Sequence, residues 1–220
     1  MLNILRSLTA HIYDIFISFF FTLAAHLLLI DHMHLSGGNF LDVGCGTGKP
    51  LHAIIHRLKQ IHQKIVGVDM HPAYTEKAIK LFEGDKQVEI YNMDFYKITD
   101  YLQLKFRTVF FSFSFMLMPD QLKALEIAKN ILEKNPESRI CFTLTVNKNK
   151  NSLLSKIKPL IKRITTVDFG KVVYEESFLS VLDSVDLEVL KFVRLKSTFN
   201  IFLWLAPVYY VECRLKQKLN

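Results

Sequence analysis

The chain has 220 residues, half of them hydrophobic (50%, with 18 Phe), and a mean hydropathy of +0.19, which fits one α/β domain with a modest extension and leaves little room for two. Its formal charge of +7 favours acidic partners without choosing among nucleic acid, anionic lipid and an acidic protein. Three widely spaced cysteines, Cys45, Cys141 and Cys213, exclude a dense disulfide framework and point to a reducing, intracellular compartment.

Residues 1–36 read as a hydrophobic helical extension and residues 37–220 as the domain proper. The run Ile15 to Ile30 holds no formal charge, and Ser18, Thr22 and His26 are its only polar interruptions. A spanning helix needs about 20 apolar residues, so this run either packs as a buried or lid helix or meets a membrane. No small-residue cleavage site follows it, which argues against a secretory signal. Arg6, Ser7 and Thr9, with no acid before Asp14, leave a mitochondrial presequence open.

From Gly37 the pattern alternates between strand and helix. Strands are expected at Asn39–Val43, Lys64–Val68, Val88–Met93, Thr108–Phe115, Arg139–Val146, Leu187–Leu195 and Val208–Leu215. Helices are expected at Pro50–Gln60, Pro72–Phe82 and Gln121–Leu132, with a further helical region after the fifth strand. Strands apolar on both faces, separated by helices, argue for a mostly parallel sheet covered on both sides.

The chemistry concentrates in Leu41-Asp42-Val43-Gly44-Cys45-Gly46-Thr47-Gly48, between the first strand and the first helix of the domain. Glycines there let the chain turn sharply and bring backbone N–H groups and a helix N-terminus close to a ligand. The spacing G-x-G-x-G differs from the dinucleotide fingerprint, and a P-loop would need glycine where Val43 stands.

The motif D-x-G-x-G-x-G resembles that of the class I, Rossmann-like S-adenosylmethionine-dependent methyltransferases, and the match extends to further strand ends. The resemblance implies an α/β, doubly wound, mostly parallel seven-stranded sheet in the order 3-2-1-4-5-7-6, its last strand antiparallel. It implies S-adenosylmethionine as cofactor and S-adenosylhomocysteine (SAH) as product. Asp42, Gly44, Cys45, Gly46 and Gly48 would form the cofactor loop, Asp69 would hold both ribose hydroxyls, and Met70 would lie against the adenine. Asp94 would meet the adenine amino group with Phe95 on the ring, and Ser112 would line the pocket. Tyr13-Asp14 is similar to a pair preceding the domain in quinone-type members, where an N-terminal helix closes over the site.

Methyl transfer mainly requires alignment of donor and nucleophile, so the sequence names no catalytic residue. After the fourth strand, Ser112 to Pro119 departs from the N/D-P-P-Y/F motif of members that methylate nucleic acid. Thr108 and the Met116-Leu117 pair lack the acid and the polar residue that small-molecule members often carry. The acceptor side is therefore apolar, as is Thr198–Ala206. Lys148 to Lys171 is basic, with Leu153, Leu154, Ile157, Leu160, Ile161 and Ile164 at helical spacing, the pattern of an interfacial helix or of a crossover helix with a solvated face. The leading expectation is a methyltransferase for a small, lipophilic acceptor, with a membrane surface or membrane complex as a further partner. A catalytically silent assembly subunit and an RNA methyltransferase are the alternatives. Tyr174, Glu175 and Glu176 are further substrate-side candidates. Asp31, His32 and His34 lack the additional ligands that a closed metal site needs.

Overall fold

The computed structural model describes residues 22–23, 25–27, 29–34, 37–147, 173–194 and 207–217. Tyr13-Asp14, the basic stretch from Lys148 to Lys171, Thr198–Ala206 and much of Ile15 to Ile30 lie outside the described residues. Among the described residues no helix is long and apolar enough to cross a membrane.

Among the described residues eight strands form one sheet: β1 (Phe40–Val43), β2 (Ile65–Asp69), β3 (Val88–Asn92), β4 (Thr108–Ser112), β5 (Arg139–Asn147), β6 (Val173–Tyr174), β7 (Leu187–Arg194) and β8 (Val208–Leu215). Their order is β3-β2-β1-β4-β5-β8-β7, with β6 pairing beside the end of β5. The strands β1 to β5 run parallel, whereas β8 is antiparallel to both β5 and β7. This is the expected order once the two-residue β6 is counted. β1 and β4 are buried along their whole length, as central strands covered on both faces must be.

The described helical residues between 22 and 32 (α1), α2 (Lys49–Ile61) and α3 (Pro72–Leu81) lie on one face. There Leu29, Ile30, Leu51, Ile54, Leu58 and Phe82 pack against Phe40, Phe110, Cys141 and Tyr210. The other face carries α4 (Ile98–Tyr101), α5 (Gln121–Ile131) and α6 (Glu175–Ser184), packed on Leu41, Val43, Val109, Phe111 and Phe142. Strand alternation explains the division: neighbours in β1 and β4 point to opposite sides. Asp42, between Leu41 and Val43, therefore shares the α1 face with Phe40.

The fourth strand is shorter than expected. It ends at Ser112 because Phe113 takes a left-handed backbone (φ 55), and a single 3-10 turn, Phe115–Leu117, follows. The apolar run does not continue the strand. It folds over the edge of the sheet instead, with Phe115 and Met116 buried.

Candidate functional site

The loop after β1 is built by its glycines. Gly44 has φ 77, and a Cβ there would stand 2.5 Å from the Cβ of Ser114, so both backbone and space demand glycine. The N–H groups of Gly44 and Cys45 donate to the Val68 carbonyl at 2.8 and 3.1 Å, tying the loop to β2. Gly46 has φ 57, and a Cβ there would meet nothing within 4 Å, so the space above it is open. Gly48, also left-handed, caps α2. Cys45 is buried, and burial together with the charges of Asp42 and Asp69 raises its thiol well above the usual range. A thiol kept protonated in this way is no nucleophile.

The two acids of the neighbouring strand ends are held by backbone. The Asp69 carboxylate accepts from Gly46 N at 2.9 Å and from His71 N at 2.8 Å. Asp94 accepts from Tyr96 N at 3.0 Å, capping the turn that follows β3. A carboxylate offers about four acceptor positions, so each retains capacity for hydroxyl or amino donors. Met70 is 73% exposed beside Asp69, and the rings of His71 and Tyr74 stack 4.3 Å apart next to it. Phe95 is buried, edge-on to Phe111 at 5.5 Å, which sets its ring in the core below the edge.

Asp42 and Ser112 come together through a residue the sequence reading passed over. His26 on α1 places Nε2 3.0 Å from Asp42 Oδ2 and Nδ1 2.8 Å from the Thr22 carbonyl, with Ser112 Oγ 3.5 Å from Nδ1. All three side chains are buried. The available signal was a histidine inside an uncharged run, three and four residues before Leu29 and Ile30, together with a strand acid that needs a partner.

Across β4 the edge is apolar. Ser114 Oγ donates to the Val43 carbonyl, and Met116 Sδ accepts from Thr145 Oγ1 at 3.2 Å. Tyr174 ends β6 beside Asn147, at the same edge, and Glu175 and Glu176 open α6 behind it. The candidates Asp31, His32 and His34 diverge: Asp31 faces Arg57, the His32 ring stacks on Tyr210, and His34 meets Glu137. Among the described residues no cluster of three potential metal ligands forms. A concavity of about 390 Å³ lined by Ile79, Phe82, Asp85 and Ile90 shares no residue with the loop.

A glycine loop after β1, acids ending β2 and β3, and a sheet ordered outward from β1 define a Rossmann-like domain that binds a nucleoside cofactor. The profile of a methyltransferase domain family matches residues 34–171, more than half of the chain. The chain belongs to that family, as a class I S-adenosylmethionine-dependent methyltransferase whose product is SAH.

No curated protein matches the chain in sequence. Solved structures share its fold. The cyclase SpnF is 14% identical with a TM-score of 0.69, covering 89% of this chain and 81% of its own. A SAM-dependent methyltransferase from Aquifex aeolicus is 17% identical with a TM-score of 0.61, covering 86% and 88%. Magnesium protoporphyrin IX methyltransferase from Synechocystis, solved with SAH bound, is 13% identical with a TM-score of 0.58, covering 89% and 82%.

Proposed function

We propose that the domain methylates a small, apolar acceptor seated over the ends of β4 and β5. The observation that carries this reading is the segment Phe113–Pro119, which crosses the edge of the sheet without one ionisable side chain. The likeness to magnesium protoporphyrin IX methyltransferase, named for a small-molecule acceptor, supports it.

The residues present fit the cofactor. Open space lies above Gly46, and Asp69 and Asp94 keep acceptor capacity. Asp69 would hold the ribose hydroxyls, Asp94 the adenine amino group and Met70 the adenine face, with Gly44, Gly46, Gly48 and the α2 N-terminus beneath the remainder. When bound, S-adenosylmethionine supplies a methyl group on a sulfonium centre. The chain's own work is to orient the acceptor and exclude water, since alignment alone can contribute on the order of 7–11 kcal/mol. Phe113–Pro119 offers no ionisable group, so a hydroxyl or ring carbon of a quinol-like acceptor would give up its proton to solvent or to a group outside that segment, for which Tyr174, Glu175 and Glu176 are candidates.

Calorimetric titration with S-adenosylmethionine, followed by transfer of labelled methyl to apolar and polar acceptor panels, tests this reading. Micromolar binding with transfer to the apolar panel supports it. Transfer only to polar acceptors or RNA sinks the acceptor class. Binding without any transfer favours a different reaction on this fold, of which SpnF is a named instance, or an assembly role.

The basic, apolar stretch from Lys148 to Lys171 supports work at an anionic membrane inside the cell, the mitochondrion included. Vesicles containing anionic lipid should retain the protein at low salt and release it at high salt. Failure to bind them at low salt removes the membrane from the proposal.

A further inference from the structure

The family match begins at residue 34, yet the side-chain partner of the acid that opens the glycine loop comes from residue 26. Both nitrogens of His26 are engaged. The Thr22 carbonyl can only accept, so Nδ1 donates to it, while Nε2 is bound to Asp42 Oδ2. The ring also stands edge-on to Phe110, with centroids 5.2 Å apart, and Ser112 Oγ approaches from β4. These contacts leave the imidazole no free rotation. Asp42 is fully buried, and its Oδ1 has no partner among the described residues.

Sheet order says what lies over this pair. Asp94, Asp69, the loop with Asp42, and Ser112 follow one another across β3, β2, β1 and β4. Neighbouring strands are roughly 4.8 Å apart, so this row extends over roughly 14 Å. An adenosine group held by Asp94 and Asp69 leaves the amino-acid end of the cofactor over β1 and β4, where His26 fixes Asp42 and meets Ser112.

We infer that His26 is a positioning residue of the cofactor site: by holding Asp42 beneath the loop, it makes the N-terminal helix part of the surface that recognises the amino-acid end of the cofactor. The inference rests on the cofactor reading above and deepens it. It also assigns the extension a task inside the site, independent of any membrane.

The test titrates SAH and adenosine into the wild type, His26→Ala and His26→Gln. Adenosine reports the β2 and β3 half of the row and SAH reports the whole of it. In His26→Ala, SAH binding should weaken about tenfold, the equivalent of one charge-assisted hydrogen bond, with adenosine changed less than twofold. His26→Gln, whose amide can still donate to Asp42, should recover most of the loss. An unchanged SAH affinity overturns the inference. So does a parallel loss of both ligands, which would make His26 only an anchor of the fold. A wild type that binds neither ligand overturns the cofactor reading, and this inference with it.

Discussion

The two ends of the sheet treat acidic residues in opposite ways. At the amino-terminal end, acids meet basic side chains: Asp85 meets Lys59 at 2.9 Å, Glu89 meets Lys64 at 2.7 Å, Glu133 meets Arg107 at 2.6 Å and the buried Glu212 meets Arg139 at 3.3 Å. At the carboxyl end, Asp69 and Asp94 are held by backbone N–H groups, and Asp42 by a histidine from α1. An acid paired with a cation has its charge answered within the fold. An acid steadied by one or two N–H groups still has lone pairs to offer. The lower end therefore reads as clamp, while the upper end keeps acceptor capacity open, although both are rich in carboxylates.

That division predicts that lower-end variants change stability and leave binding alone. The largest expected effect is that of Glu212→Ala, which takes the buried carboxylate away from Arg139, Lys191 and the Tyr210 hydroxyl at once and leaves Arg139 with the more distant Glu137 and two backbone carbonyls. Urea denaturation should show a loss of about 3 kcal/mol, with SAH affinity unchanged. A large fall in affinity in the folded variant would erase the distinction between the ends.

His62, just before β2, gives a lower-end effect of similar size that depends on pH. Burial pushes its pKa down from 6.5 to about 4, and its Nδ1 donates to the Gly37 carbonyl at 3.2 Å. The folded state keeps the ring neutral, so between pH 6.5 and about 4 the unfolded chain binds the extra proton. Stability is whole above the unfolded value and falls as pH drops through this window, by about 3 kcal/mol in all. Denaturation midpoints followed from pH 7 to 4 should show that slope, and His62→Gln should flatten it. Equal slopes in both proteins would place the acid sensitivity elsewhere.

Asp69→Ala is the upper-end counterpart. Calorimetry should show cofactor binding weakened by one to two powers of ten, about 1.5–3 kcal/mol, while the urea midpoint stays close to the wild type. The smallest effect belongs to Lys59→Ala. Its pair with Asp85 is partly exposed, with side-chain exposures of 35% and 23%. It should cost at most about 1 kcal/mol, and the difference should shrink in high salt. A loss several times larger would mean that the lower-end pairs act as one network.

Much of this architecture was legible in the chain. Strands β1, β2, β4 and β5 are largely apolar runs bounded by glycine, proline or polar residues, a local pattern that sequence displays directly, whereas β3 carries Glu89 in its middle and the two-residue β6 shows no such run. The loop and the acids Asp69 and Asp94 could be placed because each follows the last apolar residue of its strand. Phe113 could not. Its run Val109 to Phe115 is interrupted only by Ser112 and Ser114, which keep the alternation of a strand to its end, and only the need to pack Phe115 and Met116 under the edge reveals where extended backbone stops.

Sequence by itself determined the strand and helix order, the glycine loop, the strand-end acids Asp69 and Asp94 and the family to which they belong, because all of these are written in short-range spacing. Tertiary structure decided which carboxylates are clamps and which remain open, since a partner such as Arg139 for Glu212 lies 73 residues away along the chain. It also decided that His26 meets Asp42. Asp42 and His26 are 16 residues apart, and nothing in local periodicity brings a helix onto a strand. The burial of Leu29 and Ile30 against Phe40 and Phe110 does so, and the imidazole arrives with them.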